Sequence, residues 1–204
     1  MAVFSLSNML YGWYYAEPND SLTQEEKEHN ANIMMSFLRK NGFTIYAAAG
    51  AVGNAWAESQ MNPGRWQGDT AWSGGYGLMQ WTPYTKYSDW AGADWQNNGP
   101  LECERLIYER EQGLQFYPST QYPQWTYRRY CTIEPEEGLT INETINMCAE
   151  IWVYNYLRPG DPTASLANRK YHARYVYEHC PGNIIPYWLL FKWSKLNRGI
   201  IYGK

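Results

Sequence analysis

Glu58 is the residue whose type and surroundings most directly suggest chemistry. It lies in the run Ala55-Trp56-Ala57-Glu58-Ser59-Gln60-Met61-Asn62-Pro63, and Gly75-Tyr76-Gly77-Leu78-Met79-Gln80-Trp81-Thr82-Pro83 follows shortly after. The first run puts one carboxylate at the end of a helix, because Asn62-Pro63-Gly64 stops helical backbone. The second is rich in glycine and closes on a Gln, whose amide both donates and accepts hydrogen bonds, and a Trp, whose ring stacks on apolar faces. An acid, an amide and flat rings on close-approaching backbone suit a cleft that protonates and cuts the glycosidic bond of a polysaccharide.

Position on the helix sharpens the role of Glu58. Ile45, Ala48, Ala49, Val52, Ala55 and Trp56 form one apolar stripe. At about 100° per residue, Glu58 falls roughly 120° from its centre, on the border of the buried face. A carboxylate there is half-desolvated yet open to a cleft, and the negative end of the helix dipole disfavours its ionised form. Both effects push its pKa upward, as a general acid requires. A second carboxylate is normally needed as base or nucleophile. Asp69, beside Gly68 on the Gly-rich segment, is the nearest later candidate, ahead of Asp89, Asp94 and Glu102. Gln80 is the leading sugar-binding candidate, with Trp66, Tyr76, Met79 and Trp81 as subsite walls and Ser59 to orient Glu58; the competing role for each is core or loop packing. His29, His172 and His179 are isolated, and no metal or cofactor is expected.

The pattern E-S-x-x-N-P followed by G-Y-G-L-M-Q-W-T-P resembles the lysozyme-like superfamily, which includes goose-type lysozymes and soluble lytic transglycosylases, and is most similar to the lysozyme domains of phage tails. The resemblance covers roughly residues 30–180. It implies that Glu58 opens the catalytic motif and that the G-L-M-Q segment floors the glycan cleft. The run Tyr156-Leu157-Arg158-Pro159-Gly160-Asp161-Pro162 looks like the group's later aromatic-x-R-P-x-D-P segment. Leu157 stands where relatives are expected to carry an acidic residue, so no catalytic role is carried over there. Tyr154-Asn155 resembles a later Y-N motif of transglycosylases, which makes Tyr154 a further substrate-binding candidate. Transglycosylases use the N-acetylmuramyl 6-hydroxyl in place of water and yield an anhydro sugar; Asp69 favours hydrolysis, and the Y-N pair points the other way.

Composition bounds these readings. The chain has 204 residues, 45% of them hydrophobic and 18% charged, a globular balance that demands no second domain. Net charge is 17 minus 20, or −3, so nucleic acid is not the expected partner, and recognition of an anionic cell wall has to be local. The 11 Trp, 19 Tyr and 5 Phe are compatible with a glycan ligand, although most rings are expected to fill the core. Cys103, Cys131, Cys148 and Cys180 lack zinc spacing; they pair in any of 3 ways as two disulfides or stay reduced. Met1-Ala2-Val3 opens without a basic leader, so export by the usual route is not expected. Ile184 to Trp193, broken by Pro186 and Lys192, is too short to span a bilayer.

The elements that must carry these residues are mainly helices. Ser21 or Thr23, followed three residues later by Gln24 or Glu26, makes a capping box, Ala31, Met34, Met35 and Leu38 recur at helical spacing, and Asn41-Gly42 ends that helix. A second helix is expected over 44–60, and others at 100–112, 142–157 and 162–178, the last capped by Asp161 before Pro162. Residues 64–95 carry Gly68, Gly74, Gly75, Gly77 and Gly92 among Trp and Tyr residues and no period before a short helical stretch at 85–90, which reads as a small hairpin or irregular lobe forming the second wall of the cleft. The expected architecture is a mainly α, lysozyme-like (α+β) domain at 23–182, with an N-terminal arm at 1–22 and an apolar C-terminal segment at 183–204 packed on the domain or a partner. The expected function is a glycoside hydrolase acting on peptidoglycan between N-acetylmuramic acid and N-acetylglucosamine, carried in the virion with other phage tail proteins as partners. Competing expectations are an endolysin held in the host cytoplasm before lysis, and an inactive tail or wall-binding module.

Overall fold

The structure, a computed structural model, describes residues 8–10, 12–17, 20–69, 71–72 and 74–182. The C-terminal segment expected at 183–204 lies outside the described residues. The domain is mainly helical. Among the described residues two short antiparallel strands, β1 (Asn8–Leu10) and β2 (Trp13–Tyr15), precede seven α-helices: α1 (Gln24–Lys40), α2 (Ile45–Ser59), α3 (Thr85–Ala91), α4 (Gly99–Gln112), α5 (Tyr127–Cys131), α6 (Ile141–Trp152) and α7 (Leu166–His179).

Helix α1 begins as its capping box dictates: the Thr23 hydroxyl accepts from the Glu26 N–H, and the Glu26 carboxylate accepts from the Thr23 N–H at 2.7 Å. Helix α2 is capped by Thr44 and ends in a left-handed residue, Gln60, with φ 54°. Residues 47–56 of α2 are buried without interruption, so this helix is surrounded rather than one-faced. Its main neighbours are α7 and α6, and its alanines and glycines are what let them in. A Cβ on Gly50 would sit 2.7 Å from the Cβ of Cys148 on α6, and one on Gly53 would sit 2.4 Å from the backbone nitrogen of Ala173 on α7. The close α2–α7 approach matters because α7 delivers a side chain to the end of α2.

Three departures from the sequence reading have local causes. Helix α7 starts at Leu166 because Asp161 spends its carboxylate on a tight turn, accepting from the Thr163 N–H at 2.9 Å and the Thr163 hydroxyl at 2.7 Å. Helix α6 ends at Trp152 and continues as a π-helical turn, Val153–Leu157, closed by left-handed Arg158. Helix α5, one turn capped by Thr126, is too short for periodicity to reveal. Part of the expected N-terminal arm is built into the core: Trp13 is fully buried, and Asn30 of α1 bonds both backbone groups of Tyr14. The four cysteines are buried free thiols, which decides the disulfide question left open by the sequence. Among the described residues no helix is long and apolar enough to cross a membrane.

Candidate active site

Glu58 occupies the last turn of α2, and its side chain retains 19% of its exposure. The sequence reading supplied burial and a helix end; the structure adds a partner 111 residues away. The Nη2 of Arg169 donates to Glu58 Oε1 at 2.6 Å. That guanidinium is itself buried, with Nε donating to Ser165 Oγ at 2.7 Å and Nη1 to Asn54 Oδ1 at 3.1 Å. Asn54, one turn before Glu58 on α2, is fixed in turn by donating to the Gly50 carbonyl at 2.8 Å and the Ala149 carbonyl at 3.0 Å. Arg169 thus sets a guanidinium against the carboxylate, a neighbour that the expectation from sequence did not include. Lys27 of α1 donates to Gln60 at 3.1 Å, and burial and neighbouring Arg65 hold its ammonium below the usual lysine pKa range, so further positive charge lies beside the end of α2.

The remaining motif residues face inward. Ser59 is fully buried and its hydroxyl donates to the Ala55 carbonyl at 2.8 Å, which leaves it hydrogen-bonded along its own helix rather than to Glu58. Asn62 accepts from the Ala16 N–H at 3.2 Å and donates back to its carbonyl at 3.0 Å, tying the N-terminal strand to the motif.

The Gly-rich segment is an irregular lobe held by two isolated bridges, Trp66 to Tyr76 and Tyr76 to Trp81. Trp66, Tyr76, Met79 and Trp81 are all buried, so their main contacts are with protein. Trp66 packs on Tyr76, Tyr84 and Trp95 at centroid distances of 4.7, 5.3 and 5.8 Å. Gln80 is half-buried with φ 50°, and its amide donates to the carbonyls of Gly77 at 2.9 Å and Arg65 at 3.1 Å. Tyr154 is half-buried against Tyr122 at 5.8 Å, while neighbouring Asn155 is buried and donates to the carbonyls of Tyr122 and Trp125, both at 3.1 Å. The exposed ring in the lobe is Trp72, 62% accessible and leaning on Trp66 at 5.5 Å.

Two buried carboxylates on α4 anchor this lobe. Glu102 is fully buried and accepts from the Leu78 N–H at 2.6 Å; burial pushes its pKa well above the usual carboxylate range, and Oε1 has no partner among the described residues. Glu109 accepts from the Trp81 indole at 3.0 Å, Arg105 Nε at 2.8 Å and the Tyr156 hydroxyl at 2.5 Å; burial still raises its pKa overall. Neither group is open to a ligand. Glu102, one of the sequence rivals for the second carboxylate, is therefore sealed off, whereas Asp89 and Asp94 are exposed. The backbone of Asp69 ends a single 3₁₀ turn, Gln67–Asp69, whose centre, Gly68, has φ 65°.

A mainly helical domain with a partly exposed glutamate at the end of its central helix and a glycine-rich lobe beside it defines a lysozyme-like protein. The chain belongs to the phage tail lysozyme family, whose pattern it matches over residues 29–179. It is also similar to morphogenesis protein 1 of Bacillus phage B103, with 32% identity over 150 residues, covering 71% of this chain and 38% of that protein. The chain thus spans well under half the length of that relative. Family membership makes this a phage-associated, lysozyme-like domain.

Proposed function

We propose that this domain hydrolyses the β-1,4 bond between N-acetylmuramic acid and N-acetylglucosamine, with Glu58 as general acid, to open the cell wall locally for a phage tail. The observation that carries the reading is the site of Glu58. It is the motif carboxylate that is both partly open to solvent and held in place from a second helix. In the first step Glu58 gives its proton to the glycosidic oxygen as the bond from that oxygen to the sugar C1 breaks. A water then adds its hydroxyl to C1 and its proton passes to a carboxylate. Asp69 is the proposed group that activates this water or stabilises the oxocarbenium charge. Gln80, Trp66, Tyr76, Met79 and Trp81 are proposed to shape the glycan site mainly through the lobe backbone that they hold, Ser59 through the end of α2 beside Glu58, and Tyr154 from the π-helical turn after α6. Lys27 and the neighbouring Arg65 supply the local positive charge that an anionic wall polymer calls for in a chain of net charge −3.

A second reading draws on the burial of Glu102, which removes one candidate for the second carboxylate. Glu58 alone can serve a transglycosylase, giving its proton to the leaving oxygen and then taking the proton of the muramyl 6-hydroxyl as that oxygen closes on C1. Mass spectrometry of purified peptidoglycan after digestion separates the two. Hydrolysis predicts reducing N-acetylmuramic ends; transglycosylation predicts anhydro products lighter by one water. Intact glycan strands would overturn both and favour a wall-binding module.

A further inference from the structure

The Glu58 carboxylate is gripped by one oxygen. Oε1 accepts from Arg169, whereas Oε2 has no hydrogen bond among the described residues and is not among their buried, unpartnered atoms. Arg169 is anchored on three sides, by Ser165 of the turn before α7, by Asn54 of α2, and by Glu58 itself. Asn54 is pinned to α6 through the Ala149 carbonyl, so the guanidinium orientation is set by three elements at once. A planar, always-charged guanidinium can meet these partners together, and a lysine ammonium on a flexible stem cannot hold the same fork. A buried arginine beside a partly open carboxylate has to be satisfied, and this network satisfies it.

We infer that Arg169 is the positioning residue of the reaction: it holds Oε1 so that Oε2 is the oxygen that carries the proton to the glycosidic bond. This rests on the role proposed for Glu58. The grip separates two tasks on one carboxylate. Oε1 fixes the side-chain rotamer, and Oε2 stays available to the substrate. Misplacing a catalytic group by about 1 Å can reduce rate on the order of 10²-fold. Ser165 and Asn54 act one step further out, through the arginine.

The test compares the wild type, Glu58→Gln, Arg169→Lys and Ser165→Ala on purified peptidoglycan, with the rate taken per folded molecule and the melting temperature measured alongside. Arg169→Lys is expected to lower kcat about 10- to 100-fold with KM changed less than twofold, because charge is kept and geometry lost. Ser165→Ala, which loosens one of the three anchors from the turn before α7, is expected to lower kcat two- to fivefold with at most a small fall in melting temperature. Normal kcat per folded molecule in both variants would overturn the inference and leave Arg169 a structural ion. If Arg169→Lys does not fold, Ser165→Ala decides alone. An unaltered rate in Glu58→Gln would instead sink the functional reading beneath it.

Discussion

Two regions of this domain, the end of α2 and helix α4, treat carboxylates in opposite ways. At the end of α2, Glu58 is partly exposed, paired with a buried guanidinium, and tied to α6 and α7 through Asn54 and Arg169. On α4, Glu102 is sealed under the Gly-rich lobe with a single N–H partner, and Glu109 is enclosed by an indole, a guanidinium and a phenol. The first arrangement keeps an oxygen available. The second uses acids as internal brackets that hold irregular backbone in place, since a loop without regular hydrogen bonding needs other partners for its buried groups. The lesson is that a motif marks both the chemistry and the scaffold that frames it, and burial tells them apart.

The contrast can be broken most severely at the glycines. Gly77 has φ 77°, and a Cβ there would lie 2.6 Å from Glu102 Oε2. Backbone strain of about 1–3 kcal/mol and overpacking of about 1–3 kcal/mol should act together in Gly77→Ala. Calorimetry should show a melting temperature lower by roughly 5–20 °C. Gly53→Ala probes the other end: forcing α7 away from α2 should cost about 1–3 kcal/mol and reduce activity per folded molecule, because Arg169 rides on α7. Loss of stability at normal specific activity would show that α2 and α7 need not be so close for catalysis.

Protonation sharpens the comparison. Burial raises the pKa of Glu102 in the folded state, so the folded protein binds a proton that the unfolded chain releases above the ordinary carboxylate range. Stability from this group is therefore complete in acid and declines as pH rises towards the folded value. Glu102→Gln, which cannot ionise, should melt higher than the wild type at pH 9 and close to it at pH 4. Parallel melting curves for the two proteins across that range would show that Glu102 is not held protonated. The smallest effect is expected at Gln80. Its amide donates to two backbone carbonyls, so Gln80→Ala should lose about 0.5–1.5 kcal/mol per bond while glycan affinity per folded molecule stays near normal. A several-fold loss of muropeptide binding at an unchanged melting temperature would return Gln80 to the role of sugar ligand.

Much of this was readable in sequence because it is local. The start of α1 among Ser21, Thr23, Gln24 and Glu26, the end of α2 before Asn62-Pro63 and the partly exposed place of Glu58 follow from residues within a few positions of one another. The Arg169 partnership does not, since it joins residues 111 apart. A trace of it was present: Arg169, Ala173 and Val176 recur at helical spacing, and all three are buried. An arginine on an apolar stripe demands a buried acceptor. The lobe was harder. Trp81 and Gln80 look equally suited to sugar or to protein, and their inward direction is set by Glu109, Arg65 and Gly77, contacts that carry no period.

Whether Glu58 is the proton donor is decided by the turnover of Glu58→Gln measured with its melting curve. The amide matches the carboxylate in size and can still accept from Arg169, so the fold should persist with at most a small loss of stability. General acid catalysis is typically worth 10² to 10⁴-fold, and release of soluble muropeptides from purified peptidoglycan should fall by at least that factor. A well-folded Glu58→Gln protein that releases muropeptides at the wild-type rate would show that Glu58 does not donate the proton.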